Sequence, residues 1–247
     1  MIAIVLCFTL FNLLLAYYLV SHEHGPKKPL IGFVDAALFG IVGVIAASTL
    51  EYVALPGITD TLTARSALLV GIIEESAKFL PLALFMYKRP YFDEVADGVI
   101  FFGICGMTFG LLENIQYTVE YGSSVGFMRL IMTPLFHTAT TGIIGYALAR
   151  SKLKLNTVWL VVVVFLAMIL LHGAYDLFLS SENFLLVLIS LAITFSLDVY
   201  FFIAYADGIK EDVRLGLSIP RQDRFCSSCG KANVRHYRYC TSCGTHM

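Results

Sequence analysis

Two adjacent glutamates and a lysine, Glu74, Glu75 and Lys78, interrupt an otherwise apolar run over residues 67–86. That run is long enough to cross a bilayer as a helix. An ion near the bilayer centre costs roughly 2.5–3.5 kcal/mol on insertion scales, so three within one turn require a reason. On a helix, Glu74 and Lys78 are four apart and Glu75 and Lys78 three apart, spacings that bring side chains together. The lysine can neutralise one acid. The other must find a partner on another helix or contact water. An ion pair that only locks helix packing needs one acid, and here there are two.

Other apolar runs carry further candidates. Glu113 and Asn114 follow Phe109 in a run with glycines at 103, 106 and 110, which permit close helix contact. Glu113 reads either as an inward-facing acid or as an interfacial acid that snorkels outward. His137 stands among Thr138, Thr140 and Thr141, where it can serve a site or only an interhelical hydrogen bond. His172 and Asp176 are four apart and share a helix face, which reads as a functional pair. Asp198 reads as a packing acid nearer the other membrane face, and Glu51 as interfacial.

Carboxylates and histidines in a wet pocket can bind a divalent metal and activate its water. They can also activate water directly, with a glutamate as base. No Ser-His-Asp set at matching depth is evident, and no motif marks Ser76 as a nucleophile. Both open options are hydrolytic, and hydrolysis inside a membrane requires a water-filled cavity.

The elements that would position these residues follow from composition and hydropathy. The 247 residues are 58% hydrophobic and 14% charged, with mean hydropathy +0.78, where soluble domains average about 25% charged. The fold class expected is an all-α polytopic membrane protein. Seven apolar runs appear, near 2–20, 30–55, 65–87, 95–117, 128–149, 157–179 and 184–206. The first has no positive leader and no small-residue cleavage site, so it reads as a span rather than a signal peptide. The net charge of −1 and the lack of a broad basic face in the apolar part disfavour nucleic acid as a partner. Lys and Arg concentrate in the first, third and fifth connections and in the tail, which places those in the cytoplasm and the N-terminus outside. At 1.5 Å rise per residue, Glu74, Glu113, His137 and His172 all fall roughly 12–15 Å below the outer edge. Four polar residues from four helices at one level point to a single site.

The motifs Glu-Glu-x-x-Lys at 74–78, Phe-x-x-x-Glu-Asn at 109–114, His137, and His-x-x-x-Asp at 172–176 resemble the PrsW-type intramembrane protease family. That family is related to the CAAX prenyl-endopeptidases and bacteriocin-processing membrane proteases. The likeness covers roughly residues 30–206, with the motifs in the family's order. It implies cleavage of membrane-embedded or membrane-tethered proteins. It also implies Glu74 as base or ligand, with Glu75, Glu113, His137, His172 and Asp176 in the catalytic set and Lys78 and Asn114 in support. Relatives in the wider superfamily often have histidine where this chain has Glu113, which leaves open whether Glu113 is a ligand, a base or a support. A second divalent metal in the membrane site is likewise open.

The tail differs in kind. Cys226, Cys229, Cys240 and Cys243 form two Cys-x-x-Cys knuckles, each followed by glycine, which reads as a four-cysteine zinc ribbon with a structural Zn2+. A cytosolic location disfavours disulfides. His236 is the nearest spare ligand. Arg221, Arg224, Lys231, Arg235 and Arg238 make the module basic and suited to lipid headgroups or a cytosolic protein. The expected organisation is a membrane domain over 1–206, a linker over 207–223 and the ribbon over 224–247, with Cys7 and Cys105 as packing residues. A transporter, or a scaffold whose ribbon recruits partners, is the competing class. A transporter would carry repeat-related halves, and none is visible.

Overall fold

The computed structural model describes the chain apart from residues 1, 23–27, 56–61, 130–131, 218–223, 234–239, 241 and 247. Arg221, Arg235, His236 and Arg238 therefore lie outside the described residues, as does the Arg224 side chain. Eight helices are described: α1 (Ile2–Ser21), α2 (Leu30–Ala54), α3 (Ala64–Pro81), α4 (Val95–Tyr121), α5 (Ser123–Met128), α6 (Met132–Lys152), α7 (Val158–Leu179) and α8 (Phe184–Arg214). A short antiparallel pair, β1 (Arg224–Phe225) and β2 (Ala232–Asn233), follows.

The seven apolar runs correspond to α1–α4 and α6–α8. Four of these, α2, α4, α7 and α8, are each long and apolar enough to cross a bilayer. Large apolar side chains face outward on α1, α2, α7 and α8, among them Leu10, Ile45, Trp159, Leu170 and Phe195. Such a surface suits lipid as solvent rather than water. The inner helix is α4, buried along most of its length. Phe101, Phe102, Phe136 and Phe201 fill the core around it.

Two close helix crossings position the site. A Cβ on Gly106 of α4 would collide with the His137 carbonyl of α6, and one on Gly110 would meet the His137 ring at 2.8 Å. A Cβ on Gly71 of α3 would lie 2.6 Å from the Ile169 carbonyl and 3.1 Å from the Gly173 amide of α7. Only glycine permits backbones so near, and each crossing falls beside a site histidine. The start of α3 is set by a capping box. Ser66 N–H donates to Thr63 Oγ1 (3.2 Å) and Thr63 N–H donates to Ser66 Oγ (2.9 Å). The helix ends at Pro81 in a π-helical turn, Leu82–Met86, whose widened ladder closes Tyr87 N–H on the Leu82 carbonyl at 3.0 Å.

Two boundaries differ from the sequence expectation. The fifth run is interrupted at its start: α5 ends at Met128, Arg129 forms a turn, and α6 begins at Met132. The last helix does not stop at 206 but continues to Arg214, so the first eight residues of the expected linker are helical. The reason is Asp212, which is buried and accepts from the Val95 (2.6 Å) and Ala96 (2.8 Å) amides, satisfying the open N-terminus of α4. Beside that junction Lys28 pairs with Asp93, Glu94 and Asp97 at 2.7–2.9 Å. Burial opposes the Lys28 charge, but Asp97, Asp93 and Glu94 outweigh it and hold the ammonium above the ordinary lysine range.

Candidate active site

The expected site residues sit on four helices: Glu74, Glu75 and Lys78 on α3, Glu113 and Asn114 on α4, His137 on α6, His172 and Asp176 on α7. The structure brings them into one cluster. Lys78 is fully buried, as is Glu75, and Lys78 Nζ donates to Glu75 Oε1 at 2.8 Å. The same ammonium donates to His137 Nδ1 at 2.8 Å and lies 4.5 Å above the Phe109 ring. With Nδ1 accepting, the His137 proton resides on Nε2 and is donated to Glu113 Oε2 at 2.6 Å. His172 donates Nδ1–H to Glu75 Oε1 at 2.7 Å, which leaves its Nε2 to face the site.

The acid pair is thereby divided. Glu75 Oε1 receives Lys78, His172 and, at 3.3 Å, the Thr140 hydroxyl. Glu74 Oε2 is buried and has no hydrogen-bond partner. It lies 3.5 Å from His172 Nε2, 3.8 Å from His137 Nδ1 and 3.7 Å from Lys78 Nζ. Asp176 Oδ2 is 3.4 Å from the same His172 nitrogen. These separations are too long for good hydrogen bonds. An imidazole lone pair and two carboxylate oxygens therefore converge with nothing between them to hold them together. Electrostatically that point calls for a proton, a water or a cation.

The donors fit a metal. Glu74, His137 and His172 each offer one ligand atom, all within 4.8 Å of one another. Two ligands on a tetrahedral ion with bonds near 2.0–2.1 Å sit roughly 3.3–3.4 Å apart, close to the 3.5 and 3.8 Å found. Each histidine also has its remote nitrogen held by a carboxylate, Glu113 for His137 and Glu75 for His172, the arrangement that orients metal-binding imidazoles. Four carboxylates touch the histidines or Lys78, and Lys78 and Arg129 neutralise two of them. Buried charge left unpaired is costly.

Glu113 has both oxygens occupied, one by His137 and one by Arg129. Neither oxygen is left over to meet Glu74 or His172 without giving up one of these bonds. The cluster is enclosed, its most open side chains being Asp176 at 20% and Glu113 at 13%. The Phe136 ring lies 5.2 Å from that of His172 and 5.6 Å from that of His137, and stacks on Tyr175.

Three further residues bear on the site or on the helices that carry it. Arg129, which belongs to none of the sequence motifs, reaches Glu113. Glu51 is half-buried, with its Oε1 buried and without a hydrogen-bond partner. It lies within electrostatic reach of Glu113, Asp176, His172 and Lys78. Its position on α2, continuing the packed face through Gly43 and Ala47, carried the signal. Asp198 is half-buried on α8, and its Oδ1 has no partner.

The tail holds a second candidate metal centre. Cys226 Sγ lies 3.5 Å from Cys243 Sγ, and Cys229 Sγ 3.6 Å from Cys240 Sγ. These are far from bonded sulfurs and close to the roughly 3.8 Å between thiolates on a tetrahedral zinc. The two knuckles are alike: Cys226 and Cys240 donate to the Lys231 and Thr245 carbonyls, while Gly230 and Gly244 N–H donate back. Both glycines have φ of 71°, the left-handed region that tight knuckle turns require.

Comparison with known proteins bears on what this arrangement does. Residues 27–205 match the family model described as PrsW family intramembrane metalloprotease. Protease PrsW of Halalkalibacterium halodurans is 31% identical over 182 residues, covering 71% of this chain and 83% of that protein. Protease PrsW of Geobacillus kaustophilus is 28% identical over 175 residues, 69% of this chain and 76% of its own length. Protease PrsW of Bacillus subtilis is 27% identical over 172 residues, or 68% and 78%. No solved structure matches the chain.

Proposed function

The chain belongs to the PrsW family of intramembrane metalloproteases, and from that premise we propose that Glu74 drives peptide-bond hydrolysis in membrane-embedded or membrane-tethered proteins. The observation that carries this reading is the buried Glu74 Oε2, which has no hydrogen bond and faces His172 Nε2 and, further off, the Lys78-bound Nδ1 of His137. A carboxylate so placed can take a proton from water as that water's oxygen attacks the scissile carbonyl carbon. The C–N bond then breaks, and the proton held on Glu74 passes to the departing amine. Glu75 takes no part in that transfer. It fixes the His172 ring and balances Lys78, while Glu113 fixes His137.

In the alternative, Glu74 would serve as ligand rather than base: with His137 released from Lys78, Glu74, His137 and His172 would hold a divalent metal, which would supply Lewis-acid polarisation and a more acidic bound water. The positions of Lys and Arg in the connections support an extracytoplasmic N-terminus, a cytoplasmic C-terminus and a site in the outer half of the bilayer. The tail cysteines suit a structural zinc. The exposed Lys231 of the knuckle suits docking to anionic headgroups or a cytosolic protein.

The test is purified Glu74→Gln protein in detergent or liposomes, assayed against a single-span peptide with a fluorophore and quencher flanking its outer juxtamembrane segment. Cleavage is expected to fall to background while the helical circular dichroism is retained. Cleavage at the wild-type rate would sink the assignment.

A further inference from the structure

Arg129 lies in the turn between α5 and α6, outside every motif in the sequence. Its Nη2 donates to Glu113 Oε1 at 2.6 Å, and its Nε donates to Asn114 Oδ1 at 3.3 Å. Asn114 Nδ2 donates back to the Arg129 carbonyl at 3.0 Å. The guanidinium also lies over the Tyr117 ring, 3.9 Å from its centroid. The other oxygen of Glu113 accepts from His137 Nε2 at 2.6 Å, and His137 Nδ1 faces Lys78 and Glu74. A continuous chain of bonds thus runs from the connecting turn to the reacting face of the site.

We propose that Arg129 is a positioning residue for hydrolysis: it clamps the Glu113 carboxylate so that Glu113 holds the His137 ring in the orientation that turns Nδ1 toward Lys78 and Glu74. This rests on the hydrolytic reading above. A carboxylate bonded through one oxygen alone can swing about its terminal torsion, which is broad. Bonded through both, it cannot. The flat, rigid fork of arginine suits this better than lysine does. Asn114 and Tyr117 would suffice to anchor the turn. The bond to Glu113 is the one that reaches the site, so a purely structural role does not account for it.

The readouts separate the two levels. Histidine-15N NMR of detergent-solubilised protein, with His137 assigned from a His137→Gln spectrum, reports the ring tautomer whether or not the enzyme cleaves. Wild type should show a single Nε2–H signature. Arg129→Gln should shift or broaden the His137 signals as the ring loses its fixed orientation, and its kcat on the single-span peptide should drop about ten- to a hundred-fold with KM nearly unchanged. Arg129→Gln combined with Glu113→Gln should be no slower than Glu113→Gln alone, because one residue acts through the other. Tyr117→Leu, which loosens the turn but spares the Glu113 bond, should keep wild-type kcat. If Arg129→Gln does not fold, Arg129→Lys carries the test and should shift the His137 signals.

Unchanged His137 signals in the folded Arg129 variant, multiplying losses in the double variant, or an equal loss in Tyr117→Leu would each overturn the proposal. None of these outcomes would touch the hydrolytic reading, which stands or falls with Glu74→Gln.

Discussion

His172 Nδ1 lies 2.7 Å from Glu75 Oε1, and this contact across two helices sets the adjacent glutamates apart, one tied down and one left without a hydrogen bond on its buried oxygen. Glu75 is spent on His172, Lys78 and Thr140. Glu74 keeps an oxygen with no hydrogen bond. Neighbours in sequence therefore carry opposite expectations for substitution.

Glu74→Gln should cut cleavage by about 10²–10⁴-fold, the range for loss of a general base, with unfolding stability at the wild-type level. Cleavage kinetics and equilibrium unfolding in mixed detergent micelles read both quantities on one preparation.

Glu75→Gln should instead lose stability. It leaves Lys78 fully buried without its closest carboxylate, and breaking a buried pair from one side costs about 3–5 kcal/mol. The same unfolding measurement checks it. A Glu75→Gln protein as stable as wild type would contradict the anchor role.

Metal analysis should find two divalent ions per wild-type chain. Cys226→Ser/Cys229→Ser should retain one, and His172→Ala should retain the other. One ion in wild type and none in the cysteine variant would mean that Glu74 works on water directly.

Gly106→Val should disrupt both packing and chemistry, because a side chain there drives into the His137 carbonyl. Overpacking of this kind costs about 1–3 kcal/mol. Activity per folded molecule should also fall, because the displaced residue is a site histidine. A matched change at lipid-facing Leu170, 61% exposed, should do neither.

Asp212→Ala should remove the acceptor for the Val95 and Ala96 amides. A lost N-terminal cap costs about 0.5–2 kcal/mol. The site is remote from that end of α4, so kcat should hold while the unfolding midpoint falls.

Several features were legible in the residues alone. Hydropathy marked the apolar runs, because a span is a local property of about 20 consecutive residues. The three- and four-residue spacings placed Lys78 beside the glutamates and His172 beside Asp176, because helix geometry alone sets those distances. Counting rise per residue put Glu74, Glu113, His137 and His172 at one depth. The paired knuckles of the tail were equally local.

What needed the tertiary structure was rotation about the helix axes and the choice of partners across helices. Depth does not say which way a side chain points. The close crossings at Gly106 and Gly71 decide that, by bringing α6 against α4 and α7 against α3. Only then does Lys78 reach His137, Glu75 reach His172, and Glu74 remain unpaired. Arg129 and Asp212 stayed hidden for the same reason: each meets α4 from another part of the chain, through contacts that no spacing along the sequence encodes.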